Sequence, residues 1–342
     1  MGMIKKIAFC IFLIFSCALF SACATTAPEK VAGAKGMVVV PRGWFMMGHN
    51  SAEINERPEH EVYLDTYLMD KYEVSALQFA EFLNVKGNPD DKYFSVDRYS
   101  TIIGVSYVNG KEVPTSEDPQ KYVPRKGFEN YPANNVSWYG ADAYCRWKGK
   151  HLPSEAEWEK AARCDDGRIY PWGNSMPDDE KARYDEHWKE LGMHVMVPVN
   201  ALPAGASCYG ALNMAGNVSE WVADWYRQNY CNFCNETIEN NIDLSSRLLG
   251  VPKPRVSSAR EEEADLPPRR NPRGPLLGSF KVMRGGSWYD SYGQYVMRSP
   301  YRYWFHPVDR YLDFGFRCAK NAFGEKDKGK AADKTAVETS TY

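Results

Sequence analysis

The sequence has no HExxH pair, no G-x-S-x-G elbow, no glycine loop with phosphate-binding spacing and no two CxxC pairs at zinc-site spacing. Those absences exclude the commonest signatures of zinc hydrolases, serine hydrolases of the α/β class, nucleotide-binding enzymes and zinc ribbons. Charge of one sign is missing too. The net charge is -2, from 42 basic and 44 acidic residues mixed along the chain. Nothing in that balance suggests nucleic acid or an anionic membrane surface as a partner. Histidine is scarce, and the six (His49, His60, His151, His187, His194 and His306) show no i, i+4 pairing, so each reads as a surface or packing residue rather than a metal ligand. No shift of composition divides the folded part into two domains.

Aromatic residues are plentiful, with 10 Trp, 22 Tyr and 15 Phe among 26 Gly and 21 Pro. That mixture suggests short strands and many loops held by large side chains rather than long helices. The start of the chain has a different character. Lys5 and Lys6 precede an apolar run from Ile7 to Phe20, interrupted by Ser16, and the small residues Ser21 and Ala22 stand directly before Cys23. The run is too short for a mature spanning helix and has a secretory layout. With the polar, proline-containing "ATTAPEK" behind it, the segment looks like a bacterial lipoprotein signal, although Phe20 stands where leucine is commoner. Residues 1–22 are therefore expected to be a signal peptide, Cys23 the lipidated residue, and 23–36 a flexible tether from the membrane. Setting aside Cys10, Cys17 and Cys23 leaves Cys145, Cys164, Cys208, Cys231, Cys234 and Cys318. An even number of thiols in an exported chain favours disulfides, with the pairing open from sequence. "CNFC" at Cys231 and Cys234 lacks the βαβ context of a redox motif and reads as a local bridge.

Met37 to Pro41 and Trp44 to Met47 read as short strands, and His60 to Leu68 as another. Helical spacing begins at Ser75, which with Gln78 makes a capping box; Ala76, Leu77, Phe79, Ala80, Phe82 and Leu83 are apolar, and Gly87 stops the helix. Residues from about 88 to 130 read as a polar surface excursion with a hairpin at Asn109-Gly110. A second helix is expected from Ser137 to Gly149, and a third in "LPSEAEWEKAAR", with Ser154 and Glu157 as its capping box. The stretch from about 235 to 275 is charged and proline-rich and needs no fixed structure; the tail 324–342 is expected to be disordered. One segment has the donors of a calcium site. "NMAGNVSEW" places the Asn213 side chain, turn carbonyls and the Glu220 carboxylate close together, all hard oxygens. The plainer alternative is that Asn213 caps a turn and Trp221 packs.

"GMVVVPRGWFMMG", "ERPEHEVYLDTYLMDKYEVS", "NVSWYGADAYCRWKGKHLPSEAEWEKAAR", "YPWGN", "NMAGNVSEWVADWY", "RGGSW" and "FGFRCA" follow in an order and spacing that resemble the formylglycine-generating enzyme family, or sulfatase-modifying factors. The similarity runs over residues 37–323, with insertions at about 88–130 and 235–275. It implies one α+β domain with a C-type-lectin-like core and little regular secondary structure, often stabilised by calcium. Position by position, the resemblance assigns a structural calcium to Asn213, Gly216, Val218 and Glu220, and a disulfide to Cys145 and Cys318. A second family calcium site looks lost, since Arg183 and Leu191 stand where ligands are wanted.

Catalytic members place two cysteines after the Gly-Gly-Ser turn, and this thiolate pair binds Cu(I) and activates oxygen to oxidise a substrate cysteine to formylglycine. Here those positions hold Asp290 and Tyr295. Carboxylate and phenol are hard donors that do not replace soft thiolates on Cu(I). No copper is therefore expected, and no formylglycine by the known route. The family serine persists as Ser287, while a groove tryptophan appears as Ser219. The missing thiols, the lipoprotein signal and the long insertions together lead to the expectation of a lipid-anchored protein of the bacterial cell envelope, at the outer membrane where there is one, that binds or scaffolds a protein, peptide or glycan without catalysis. The other reading is a divergent periplasmic tailoring enzyme, oxidoreductase-like, with Ser287, Asp290, Tyr295, Arg298 and His306 lining the groove and Asp290 as its base.

Overall fold

A computed structural model describes residues 35–186, 188–228 and 269–322. The signal layout, Cys23, His187, the "CNFC" pair, most of the 235–275 stretch and the tail 324–342 lie outside the described residues. Among those described, no helix is long and apolar enough to cross a membrane.

The chain opens with β1 (Met37–Val40), β2 (Gly43–Met47), β3 (His60–Leu64) and β4 (Tyr67–Asp70). The alternating stretch from His60 to Leu68, expected as one strand, is broken at Asp65 and Thr66, because β3 pairs with β2 and β4 with β1, in different sheets. Polar partners cover the break: Asp65 N donates to Asn271 Oδ1 (2.8 Å) and Arg42 N to Thr66 Oγ1 (3.1 Å). Helix α1 (Ala76–Lys86) starts on the expected capping box, with Ser75 N donating to Gln78 Oε1 at 2.9 Å and Gln78 N to Ser75 Oγ at 3.4 Å. It buries Phe79, Phe82 and Leu83, whereas Leu77 faces solvent.

The stretch from 88 to 130 is more than a surface excursion. It builds an antiparallel sheet of β5 (Ile102–Val108), β6 (Lys111–Thr115) and β7 (Lys121–Pro124), with Asn109 and Gly110 at positive φ in the expected hairpin turn. Phe94, Ile102 and Tyr122 enter the main core against α1, which the polar composition of the segment conceals. Asn88 organises the entry, its Oδ1 accepting from the amides of Tyr93 and Phe94 and its Nδ2 donating to the Phe94 carbonyl.

Helices α2 (Trp138–Trp147) and α3 (Glu155–Arg163) follow, capped by Ser137 and by the Ser154–Glu157 box. Then come β8 (Ser219–Trp225), β9 (Arg269–Arg270), β10 (Lys281–Arg284), β11 (Tyr303–Phe305), β12 (Phe314–Gly315) and β13 (Ala319–Asn321). Strand β9 pairs with β3, so the end of the 235–275 stretch does carry structure. The four-stranded sheet runs β11-β10-β8-β12, antiparallel except for the β8–β12 pair, and a fourth sheet joins β1, β4 and β13.

Two cores flank the central strands. One packs Phe79 against Phe82, Phe94, Tyr144 and Phe316 as edge-on and tilted ring pairs. The other seats Trp158, Ala161 and Ala162 of α3 on β1–β4. Cys145 of α2 is bonded to Cys318, as the resemblance implies, and Cys164 to Cys208. Two such bridges fit an oxidising, exported setting.

Candidate functional site

The site grows from the end of β10. Gly285 and Gly286 turn the chain at φ 95 and 67, where side chains with Cβ are strained. A Cβ on Gly285 would lie 3.2 Å from the Trp158 ring, and one on Gly286 3.3 Å from the Val296 carbonyl. The turn delivers Ser287, fully buried, and begins the loop that carries Asp290.

Ser287 and Asp290 form a closed polar unit. Asp290 Oδ2 accepts from Ser287 N (2.7 Å) and Ser287 Oγ (3.0 Å), while Asp290 Oδ1 accepts from Tyr303 OH (2.7 Å). On its other side Ser287 Oγ lies 2.9 Å from Asp313 Oδ2. One hydroxyl proton cannot serve two carboxylates at once. Burial, ahead of the Ser287 hydrogen bond that opposes it, pushes Asp313 up to about 6. Tyr303 is held far above the ordinary phenol range by burial first and then by Asp290, so it remains a donor. Ser219, in the place of the expected groove tryptophan, lies buried in β8, and its amide donates to the Asp313 carbonyl (2.8 Å).

An open pocket of about 450 Å³ lies over this unit, walled by Asp290, Tyr292, Tyr295, Tyr301 and Tyr303. Two expected groove residues therefore belong to it, Asp290 and Tyr295. The Tyr295 hydroxyl bonds Glu53, and that hydrogen bond, ahead of desolvation, pushes the phenol up to about 12. The other three are corrected. Ser287 lies beneath the pocket, sealed from solvent. Arg298 turns away to pair with buried Glu56 through two 2.8 Å bonds, stacking on the Tyr295 ring at 4.3 Å. His306 packs its ring against Phe280 at 4.3 Å and does not line the pocket. Sequence reasoning missed Tyr301, Tyr303 and Asp313. The two tyrosines carried a readable signal, because Tyr301, Tyr303 and Phe305 alternate onto one face; Asp313 carried none.

The expected calcium segment forms a tight turn with Asn213, Gly216 and Asn217 at positive φ. Glu220 accepts from Arg317 at both oxygens, at 2.6–2.9 Å, and from Trp158 Nε1 at 2.8 Å. A second carboxylate stands beside it: Glu73, unforeseen in the sequence, accepts from Asn213 Nδ2 and Asn217 Nδ2 at 3.0 Å. Burial, then the charge of Glu220, pushes Glu73 up to about 8. Two buried carboxylates thus face one guanidinium. Calcium would suit this set in donor type, displacing the proton from Glu73 and sharing Glu220 with Arg317. At the family site expected to be lost, the Arg183 guanidinium donates to the carbonyls of His194 and Val195, both at 2.9 Å. For copper the fit fails on donor chemistry, since hard oxygens already bonded to Ser287, Tyr303 and Glu53 stand where soft thiolates would be needed.

A mixed α+β domain sparing in helix and strand, with a pocket raised on a Gly-Gly-Ser turn, defines the class of domain to which this chain is to be compared. Residues 23–322 match the sulfatase-modifying factor enzyme 1-like domain, and the chain belongs to that family. It is 32% identical over 330 residues to a formylglycine-generating enzyme of Thermomonospora curvata, covering 86% of this chain and 95% of that one. It is 29% identical over 285 residues to the serine/threonine-protein kinase pkn1 of Chlamydia caviae, covering 83% of this chain but spanning only 38% of that relative's length. Among solved structures, PvdO from Pseudomonas aeruginosa superposes with a TM-score of 0.53 at 23% identity, over 83% of this chain and 94% of that one, and so shares the fold.

Proposed function

We propose that this protein is a lipid-anchored, non-catalytic member of its family that binds a partner of the cell envelope, a protein, peptide or glycan, in the tyrosine-walled pocket. The observation that carries the reading is the fate of the two thiol positions. Asp290 and Tyr295 wall an open pocket, with their oxygens engaged by Tyr303, Ser287 and Glu53 rather than poised for a metal. Tyrosine faces supply apolar contact at little conformational cost, and their hydroxyls supply hydrogen bonds. Cys23 would carry the lipid and residues 23–36 would give the domain reach from the outer membrane. Asn213, Gly216, Val218 and Glu220 would hold calcium as a structural clamp on the turn that leads into β8 and bonds the Gly-Gly-Ser turn, with none of the four lining the pocket.

A second reading, a divergent tailoring enzyme, is favoured by the proton shared among Ser287, Asp290 and Asp313. Its weakness is access, because Ser287 is fully buried. The binding reading is tested with a photo-reactive residue at exposed, pocket-lining Ser291 in the full-length protein within its own envelope. A discrete adduct, absent when Tyr295 is also changed to Ala, is expected. Labelling no stronger or more discrete than from the same residue at exposed Leu77 of α1 would count against it.

A further inference from the structure

We infer that the pocket takes a primary ammonium group, the side chain of a partner's lysine, an assignment that rests on the binding reading above. Its walls are four tyrosines, and ring faces attract cations. Tyr295 already does so on one side, where Arg298 stacks at 4.3 Å with its charge balanced by Glu56. Asp290 in the pocket wall, and Glu53 behind the wall's Tyr295 hydroxyl, have no such balance. Asp290 is bonded to Ser287 and Tyr303, and Glu53 to Tyr295, and among the described residues neither forms an ion pair with a basic side chain. Apart from Arg298, which lies over the Tyr295 and Tyr301 rings and is balanced by Glu56, the pocket therefore offers, among the described residues, negative charge and aromatic faces without a cation.

The geometry also selects among cations. Asp290 has one oxygen filled by two donors from Ser287, and the other accepts from Tyr303. A guanidinium fork needs both oxygens along one free edge. An ammonium is a point donor that needs one remaining lone pair, and an ionised carboxylate has about four in all. Its other protons find acceptors in the tyrosine hydroxyls and in Ser291, which a quaternary ammonium, having no N–H, would not use. Lysine is thus preferred to arginine and to a methylated amine.

The test is calorimetric titration of the full-length protein with acetyl-Gly-Lys-Gly-amide, the same peptide with Nε-acetyl-lysine, and its arginine counterpart. Saturable binding of the lysine peptide is expected, weakened about tenfold by side-chain acetylation and about threefold by arginine. Asp290→Asn should weaken it about tenfold. Tyr292→Ala should weaken it about fivefold, and since Tyr292 is 80% exposed this variant folds without difficulty. Equal binding of the acetylated peptide, no binding of the lysine peptide, or indifference to both substitutions would overturn the assignment. If the lysine peptide fails while the Ser291 adduct persists, the ammonium assignment alone is wrong. If both fail, the binding reading falls with it.

Discussion

Changing Glu159 to alanine is expected to lower the free energy of unfolding by about 3–5 kcal/mol, read from denaturant melts. Glu159 lies on the buried face of α3 and accepts from Arg284 Nη2 (2.5 Å), Arg163 Nη1 (3.3 Å) and the Gly48 amide (2.8 Å). Arg284 is shared with Glu155, which Arg302 grips through bonds of 2.6 and 2.9 Å. Against the upward push of burial, Arg284, Arg163 and the Gly48 amide hold the Glu159 carboxyl below its ordinary range. Removing one carboxylate leaves two buried guanidinium groups short of a partner and a backbone amide with none. The effect is large because a broken buried pair costs more than an intact pair contributes. A loss below about 1 kcal/mol, the range of exposed pairs, would mean that the network is hydrated and unimportant to stability.

In the presence of a calcium chelator, Glu73 alone should lower stability by on the order of 4 kcal/mol between about pH 4.5 and 8, traced by unfolding free energies across pH. The sign follows from Glu73. Its carboxyl sits at about 8 in the folded chain against an ordinary 4.5, so the folded state holds the proton more tightly than the unfolded one. That contribution is complete below about 4.5 and is lost as pH rises through 8. Asp224 and Asp313, both pushed up to about 6 by burial, act in the same direction only up to about 6. The signature of Glu73 is the part of the fall above pH 6. Glu73→Gln, fixed in the neutral form, should flatten it. Calcium should do the same, because a dication beside Glu73 and Glu220 takes over the role of the proton. A flat profile between pH 6 and 8 in chelator, or the same fall with calcium added, would contradict this.

The parts of the molecule that were legible in the sequence are those fixed by neighbours along the chain. The two capping boxes, the Asn109-Gly110 turn and the glycine stops depend on residues a few positions apart, and each stands where it was read. The polar half of the core was not legible. In "EAEWEKAAR" the charged residues look like a solvated helix face, yet Glu155, Glu159, Lys160 and Arg163 are buried, because their partners arrive from far along the chain. Arg284 is 129 residues from Glu155. The site divides in the same way. The place of Asp290 after the Gly-Gly-Ser turn could be counted off, whereas its partner Tyr303 and the turn of Arg298 toward Glu56 depend on β11 and on a loop near the start of the domain.

Both readings of the pocket follow from oxygen donors standing at the two thiol positions. The most direct measurement is mass spectrometry of a cysteine-containing sulfatase peptide after incubation with the full-length protein, Cu(I) and oxygen, beside a formylglycine-generating enzyme as control. The predicted result is complete conversion by the control and unchanged cysteine with this protein. Conversion of the cysteine to formylglycine by this protein, abolished in Asp290→Ala, would contradict the reading of Asp290 and Tyr295 as walls of a binding pocket.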